Sequence, residues 1–313
     1  MPSLTQTLVG LSLSGLLLTA CSISQGVEGP VAVETQDVTS ESRAIASSAV
    51  RSPDSSKAEI LSALASARVV YLAEIHTSEA DHAAQLEIIQ ALQASNGEIA
   101  IGLEMFQRPF QPVLDAYLAG DIDEAELIEQ SEYETRWGFP WELYAPIVRY
   151  AQTHQIPLIA LNTPAEITRK VSRNGLASLS GDDLRYIPPL GEIDTKNLDY
   201  QAFFAEVTGF GDSDSPHGGA HGGFDFDNFF AAQVLWDETM AEGITTFAQA
   251  NPDTTIVVLA GQGHVVFDFG IPSRVQRRLG DDLIHYSVIL TPSEGLGTAA
   301  TGEIGDFFWP TAE

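Results

Sequence analysis

Four polar motifs follow apolar runs in this chain: Glu74-Ile75-His76, Glu104, Asn162, and Gly261-Gln262-Gly263-His264. Carboxylates and imidazoles ligate divalent transition metals, and they equally serve as general acid and base around a polarised carbonyl. Both chemistries stay open for Glu74, His76, Glu104 and His264. Alternate side chains of an extended segment share a face, so Glu74 and His76 are expected to point one way and Ile75 the other. The glycines flanking Gln262 are expected to let the backbone turn tightly and bring His264 to the same rim. Singly, each residue is an ordinary polar group at a strand end; their convergence is what suggests a site.

The elements that must position them are legible as β-branched or apolar runs at 68–75, 98–104, 158–161, 255–260 and 283–290. Longer helical stretches separate them, which predicts an α/β fold with a mostly parallel central sheet flanked by helices. The first four runs read as buried central strands. Open sheets of this kind bind ligands at the carboxyl ends of their strands, where all four motifs fall. Leu86, Ile89 and Leu92 line one face of a helix over 79–94, with Thr77 and Ser78 placed to cap it. A longer helix aligns Phe229, Gln233, Trp236, Met240 and Phe247, a pattern of core packing. The spacers are too long for plain crossovers, so helical insertions over about 107–155 and 165–248 are expected to form a subdomain across the carboxyl ends of the strands.

No charged side chain occurs in the first twenty residues, which run through Leu8, Leu11, Leu13 and Leu16 to Leu18, Thr19 and Ala20. That is the apolar core and small-residue cleavage site of a secretory signal. Cys21, the only cysteine in 313 residues, stands where bacterial lipoproteins carry their lipid. The expected organisation is a signal peptide over 1–20, a disordered tether over 21–56 containing Pro30 and Pro53, and one domain over 57–313. The expected location is the bacterial cell envelope, lipid-anchored and facing the periplasm or outer membrane. A formal charge of −28, from 43 acids against 15 lysines and arginines, makes nucleic acid and anionic headgroups poor partners.

A set of longer motifs adds a resemblance. Tyr71-Leu-Ala-Glu-Ile-His76 followed by His82, Gly102-Leu-Glu-Met-Phe106, Trp137-Gly-Phe-Pro-Trp141, Asn162-Thr-Pro164, Gln233 to Ala241, and Gly263-His264 through Pro272 together resemble the ChaN family. These are haem-binding, iron-regulated bacterial lipoproteins related to the Tiki proteases and erythromycin esterases. The resemblance implies haem as ligand, a role in haem or iron uptake, and a possible homodimer. In the related enzymes the equivalent Glu-x-His, second Glu and late His form the catalytic or metal site. This corresponds here to Glu74, His76, Glu104 and His264, with Ala73 where those enzymes usually carry Gly. A metal-dependent hydrolase using these four residues is therefore the alternative, and whether the chain is an enzyme stays open. Family haem ligation, by a tyrosine with help from a histidine, makes Tyr133 and Tyr144 candidate tyrosines. The candidate imidazoles are His76, His82 and the glycine-framed His217 and His221, whose loop reads equally as a mobile surface lid. Arg108, Arg136 and Arg149 are candidate propionate partners, and Phe106, Phe110, Trp137, Phe139 and Trp141 candidate apolar walls. His154 and His285 read as ordinary helix-end and strand residues.

Overall fold

The structure, a computed structural model, describes residues 55–210, 225–293 and 303–310. The signal peptide, Cys21, nearly all of the tether, and His217 and His221 lie outside the described residues. Six parallel strands form one sheet in the order β3-β2-β4-β1-β5-β6. They are β1 (Val69–Glu74), β2 (Ile99–Gln107), β3 (Leu158–Asn162), β4 (Thr255–Gly261), β5 (His285–Ile289) and a short β6 (Phe307–Phe308). The first five coincide with the expected runs. The sixth, only two residues long, has no sequence periodicity to announce it.

Two cores lie on opposite faces of the sheet, and strand alternation assigns residues to each. Val70, Leu72, Ile101, Leu103, Val257 and Leu259 join the first; Val69, Tyr71, Ala73, Ala100, Ile256 and Val258 join the second. Helices α1 (Lys57–Leu64), α2 (Glu79–Asn96), α3 (Gln111–Ala119), α4 (Glu124–Gln130), α5 (Tyr133–Arg136) and α6 (Trp141–His154) supply the first core. Helices α7 (Ala165–Asn174), α8 (Leu198–Thr208), α9 (Phe226–Ala250) and α10 (Ile271–Leu279) supply the second. The two insertions thus go to different faces. Trp137 and Phe139, between α5 and α6, reach the strand ends and meet the ring of His76.

Local signals set the helix boundaries. Ser78, with β-region dihedrals, caps α2 by accepting from the Asp81 amide, and Asp225 does the same for α9 from Asn228. Helix α9 differs from a one-sided amphipathic helix. Phe229, Trp236 and Phe247 are only partly buried, while the opposite side, with Leu235, Glu238 and Thr245, is buried too. The reason is its position: α7 and α10 flank it, so most of its circumference is covered.

β3 is an edge strand, not a central one, yet all its residues are buried. The Gln111 carboxamide closes that edge by donating to the Leu158 carbonyl (2.8 Å) and accepting from the Ala160 amide (2.7 Å). A side chain thereby occupies backbone groups that would otherwise invite another strand.

α9 is fastened to α10 by a buried carboxylate. Glu238 is fully buried and meets Arg274 Nε at 3.2 Å, Arg277 Nη2 at 2.8 Å and Arg278 Nη2 at 2.7 Å. Removing one member of a buried charge cluster leaves the others uncompensated. Glu238→Ala is expected to cost about 3–5 kcal/mol of stability, seen as a lower urea midpoint with an unchanged denaturant slope.

Candidate functional site

The expected convergence at the strand ends is present, but it is divided between the two faces of the sheet. Glu74, at the end of β1, belongs to the first face. Its Oε1 lies 2.9 Å from His76 Nδ1 and accepts from the Tyr144 hydroxyl at 2.5 Å, while its Oε2 accepts from Gln85 Nε2 at 2.5 Å. The Glu74–His76 contact places both side chains on one face, as alternation requires. His82 Nδ1 sits 3.7 Å from Glu74 Oε2 and 3.1 Å from Gln85 Oε1, and His82 Nε2 is 3.1 Å from the His76 carbonyl.

Glu104 faces the second core. Its Oε2 accepts the Gly261 amide at 2.7 Å and its Oε1 lies 3.3 Å from His264 Nε2. The other nitrogen of His264 is 2.7 Å from Asp237 Oδ1, whose second oxygen accepts the Tyr200 hydroxyl at 2.9 Å. The result is two sequences of tyrosine, carboxylate and imidazole, Tyr144–Glu74–His76 and Tyr200–Asp237–His264, with Glu104 beside both rings.

Gly261 explains how closely the two meet. A Cβ there would fall 2.8 Å from both Cε1 and Nε2 of the His76 ring. Its φ of −60° is open to any residue, so close approach, and not the expected tight turn, is what this glycine provides.

Electrostatics fix the charges of the second pair. Burial works against a charged imidazole, yet the charge of Glu104 and the hydrogen bonds to Asp237 and Glu104 push His264 up to about 10. Burial likewise opposes the Glu104 carboxylate, but the charge and hydrogen bond of His264, the charge of His76 and the Gly261 amide hold it down at about 2. His264 therefore favours its imidazolium form, with both ring nitrogens turned to carboxylates, Nδ1 to Asp237 and Nε2 to Glu104. His76 is also raised: burial pulls it down, and the hydrogen bond it donates to Glu74, with the charges of Glu104 and Glu74, outweighs that.

Among the described residues, no group of three or more His, Cys, Asp and Glu side chains is arranged to hold a metal ion. Glu74, His76, Glu104 and His264 instead neutralise one another, so these residues do not fit a divalent transition metal. The candidate tyrosines are also buried: Tyr144 donates to Glu74, while the Tyr133 hydroxyl has no hydrogen-bond partner among the described residues. Tyr144 is 1% exposed, and burial with the charge of Glu74 raises its phenol well above the ordinary value, which keeps it a donor. Tyr133 is 2% exposed and is raised by the same two causes. Neither presents an ionisable oxygen to an iron. The candidate propionate partners are paired as well: Arg108 with Glu242, Arg136 with Glu132 and Glu166, and Arg149 with Glu124.

What stays partly accessible is the ring of His76 beside Phe139, backed by the buried Trp137. His76, its side chain 15% exposed, lies with its ring centroid 4.8 Å from those of both Trp137 and Phe139. Among the expected walls, Phe106 and Trp137 belong to the first core, Phe139 and Trp141 pack against it, and Phe110 lies under Arg136. His154 stacks on Tyr150, and His285 meets Tyr71 edge-on, both outside the site.

Asp237, Tyr200 and Gln85 escaped the sequence reading. The available signal was a polar residue inside an otherwise apolar helical face: Asp237 lies four after Gln233, and Gln85 three after His82.

The family model described as "Haem-binding uptake, Tiki superfamily, ChaN" matches residues 60–275, which include β1 to β4 and both halves of the site. The chain belongs to the ChaN family. Among solved structures, ChaN of Campylobacter jejuni, described by its cofacial haem binding, is 20% identical with a TM-score of 0.59, over 79% of this chain and 90% of that one. An erythromycin esterase mutant in its open conformation is 16% identical with a TM-score of 0.43, over 79% and 78% respectively. RRSP, a MARTX toxin effector domain from Vibrio vulnificus, is 16% identical with a TM-score of 0.39, over 80% of this chain and 39% of that one. The likeness to the C. jejuni ChaN shows a shared fold. No curated protein matches the chain.

The charged pair sets a pH window for this ChaN-family domain. Glu104 is depressed in the fold, so its contribution is present above the ordinary carboxylate value of 4.5 and is lost as pH falls towards about 2. His264 is raised, so its contribution is complete below its ordinary 6.5 and is lost as pH rises through about 10. Melting temperature is expected to be highest between these ordinary values and to fall on both sides. Glu104→Gln should flatten the acid side in a calorimetric pH series.

Proposed function

We propose that this protein is a lipid-anchored haem-binding protein of haem or iron uptake, with haem as cargo. The observation that carries this reading is membership of the haem-binding ChaN family over residues 60–275. The partly exposed rings of His76 and Phe139, with buried Trp137 packed behind them, support it physically: a porphyrin needs flat apolar walls, and aromatic rings contribute beyond their buried area. His76 and Phe139 would meet the macrocycle's edge or face, and Trp137 would hold their rings in place from behind. Since His264 favours its imidazolium form between two carboxylates and Tyr144 serves Glu74, neither is assigned to iron. Carried over to this chain, the cofacial binding named for the C. jejuni protein favours a homodimer bringing two haems face to face.

Anchoring rests on the leader and Cys21. No helix among the described residues is long and apolar enough to cross a membrane. Acyl chains contribute about 0.8 kcal/mol per buried methylene, enough for stable attachment when several are present.

Two measurements test the reading. Haemin added to the purified protein should give a saturable absorbance shift at micromolar concentration, with Trp137→Ala and Phe139→Ala each weakening it about tenfold, the effect of ~1.4 kcal/mol. Unsaturable uptake that neither change affects would remove haem from the proposal. Detergent phase partition tests the anchor: the wild-type protein should enter the detergent phase and Cys21→Ser should remain in the aqueous phase.

A further inference from the structure

Iron inside a porphyrin asks less of a protein than a bare divalent ion does: the macrocycle supplies four nitrogens, and one axial side chain completes the attachment. Carboxylates and imidazoles that neutralise one another as a set can therefore still offer one nitrogen. Most of the candidate ligands within the described residues do not. Tyr144 gives its proton to Glu74, and the Tyr133 phenol is buried and held protonated. His264 has a carboxylate at each ring nitrogen. His82, 4% exposed, has Gln85 Oε1 and the His76 carbonyl each at 3.1 Å from a ring nitrogen.

His76 has one nitrogen committed and one not. Nδ1 lies 2.9 Å from Glu74 Oε1, whereas Nε2 makes no hydrogen bond among the described residues and is not sealed from solvent. Glu74 is itself fixed by Tyr144 and Gln85, at 2.5 Å each, so the ring keeps Nδ1 towards the carboxylate and Nε2 away from it. Trp137 and Phe139, with centroids 4.8 Å away, hold the ring from its sides. Its Cε1–Nε2 edge stands over Gly261, where a Cβ would come within 2.8 Å, so the lack of a side chain there lets the ring settle. Glu104, the other carboxylate acting on His76, is taken up by His264 and the Gly261 amide.

A histidine that ligates a metal through one nitrogen commonly donates the other N–H to a carboxylate, which sets the tautomer, orients the ring and raises its basicity. We propose that His76 is the axial ligand of haem iron through Nε2, with Glu74, held by Tyr144 and Gln85, as its positioning residue. This rests on the haem-binding reading above. It departs from the tyrosine ligation that the family resemblance implies, because both candidate phenols are buried here. The raised protonation of His76 places a proton on Nε2 in the free protein. On ligation that proton passes to solvent, while the Nδ1 proton stays with Glu74, whose charge then offsets that of the iron.

Haemin titration of the full chain, followed by absorbance and, after reduction, by resonance Raman, tests this. The wild-type protein should bind saturably and show an iron–histidine stretch once reduced. His76→Gly should lose that stretch and the wild-type Soret position, and free imidazole should restore both. Glu74→Gln, of equal size but uncharged, should keep the ligation, lower haemin affinity about tenfold and move the stretch to lower frequency. A merely structural role for Glu74 would leave that frequency in place, so this variant decides the matter should His76→Gly fail to fold. A haemin spectrum unchanged by His76→Gly overturns the proposal and leaves the haem-binding reading standing. The same holds if imidazole restores nothing although the variant melts like wild type, or if a tyrosinate spectrum disappears in Tyr144→Phe. Wild-type protein that takes up haemin without saturation removes the haem reading itself, and this proposal with it.

Discussion

Glu104 and His264 are both almost wholly removed from water, and each stays charged because the other lies 3.3 Å away. An isolated charge in such a place would neutralise by shifting its protonation. Here the carboxylate also takes the Gly261 amide, and the imidazolium also meets Asp237, so every strong bonding site of the pair is used. β2, β4 and α9 must keep their relative placement for this to hold. The remainder of the site is arranged around that constraint.

One consequence is chemical. Strand-end carboxylates and imidazoles are versatile groups while they are free, but those of this chain are mutually satisfied. Glu74 accepts from Tyr144 and Gln85 and touches His76, which consumes its lone pairs on the first face as thoroughly as His264 consumes those of Glu104 on the second. Of these imidazoles, His76 is the one with an edge towards solvent, and aromatic rings frame it. A preorganised polar floor beneath an apolar corner suits holding a flat ligand better than it suits ligating a bare cation.

Another consequence concerns assembly. The helices after β2 and those after β3 cover opposite faces, so the two halves of the site arrive from distant parts of the chain. Glu238 with its three arginines and Gln111 on the edge strand are the devices that keep those halves in register. Both use polar side chains in place of apolar area, because a buried ion cluster and a backbone-mimicking amide fix geometry in a way that apolar contacts do not.

The sequence by itself determined the parallel α/β architecture, five of the strands, the cap of α2, and the gathering of Glu74, His76, Glu104 and His264 at one rim. These follow from local periodicity and from the rule that strand ends carry ligand groups. It also carried family membership, in motifs spread from β1 to α10. Only the tertiary structure decided which groups face each other. Alternation places Glu74 and Glu104 on opposite faces, but whether a carboxylate meets a metal, an imidazole or a tyrosine depends on helices inserted far away. Asp237 and Tyr200 went unread, and Tyr144 stood as a candidate ligand, because one-dimensional spacing carries no record of burial. Burial settles these cases: it keeps the Tyr144 phenol protonated, and it leaves the Glu104 carboxylate and His264 imidazole charged only as partners.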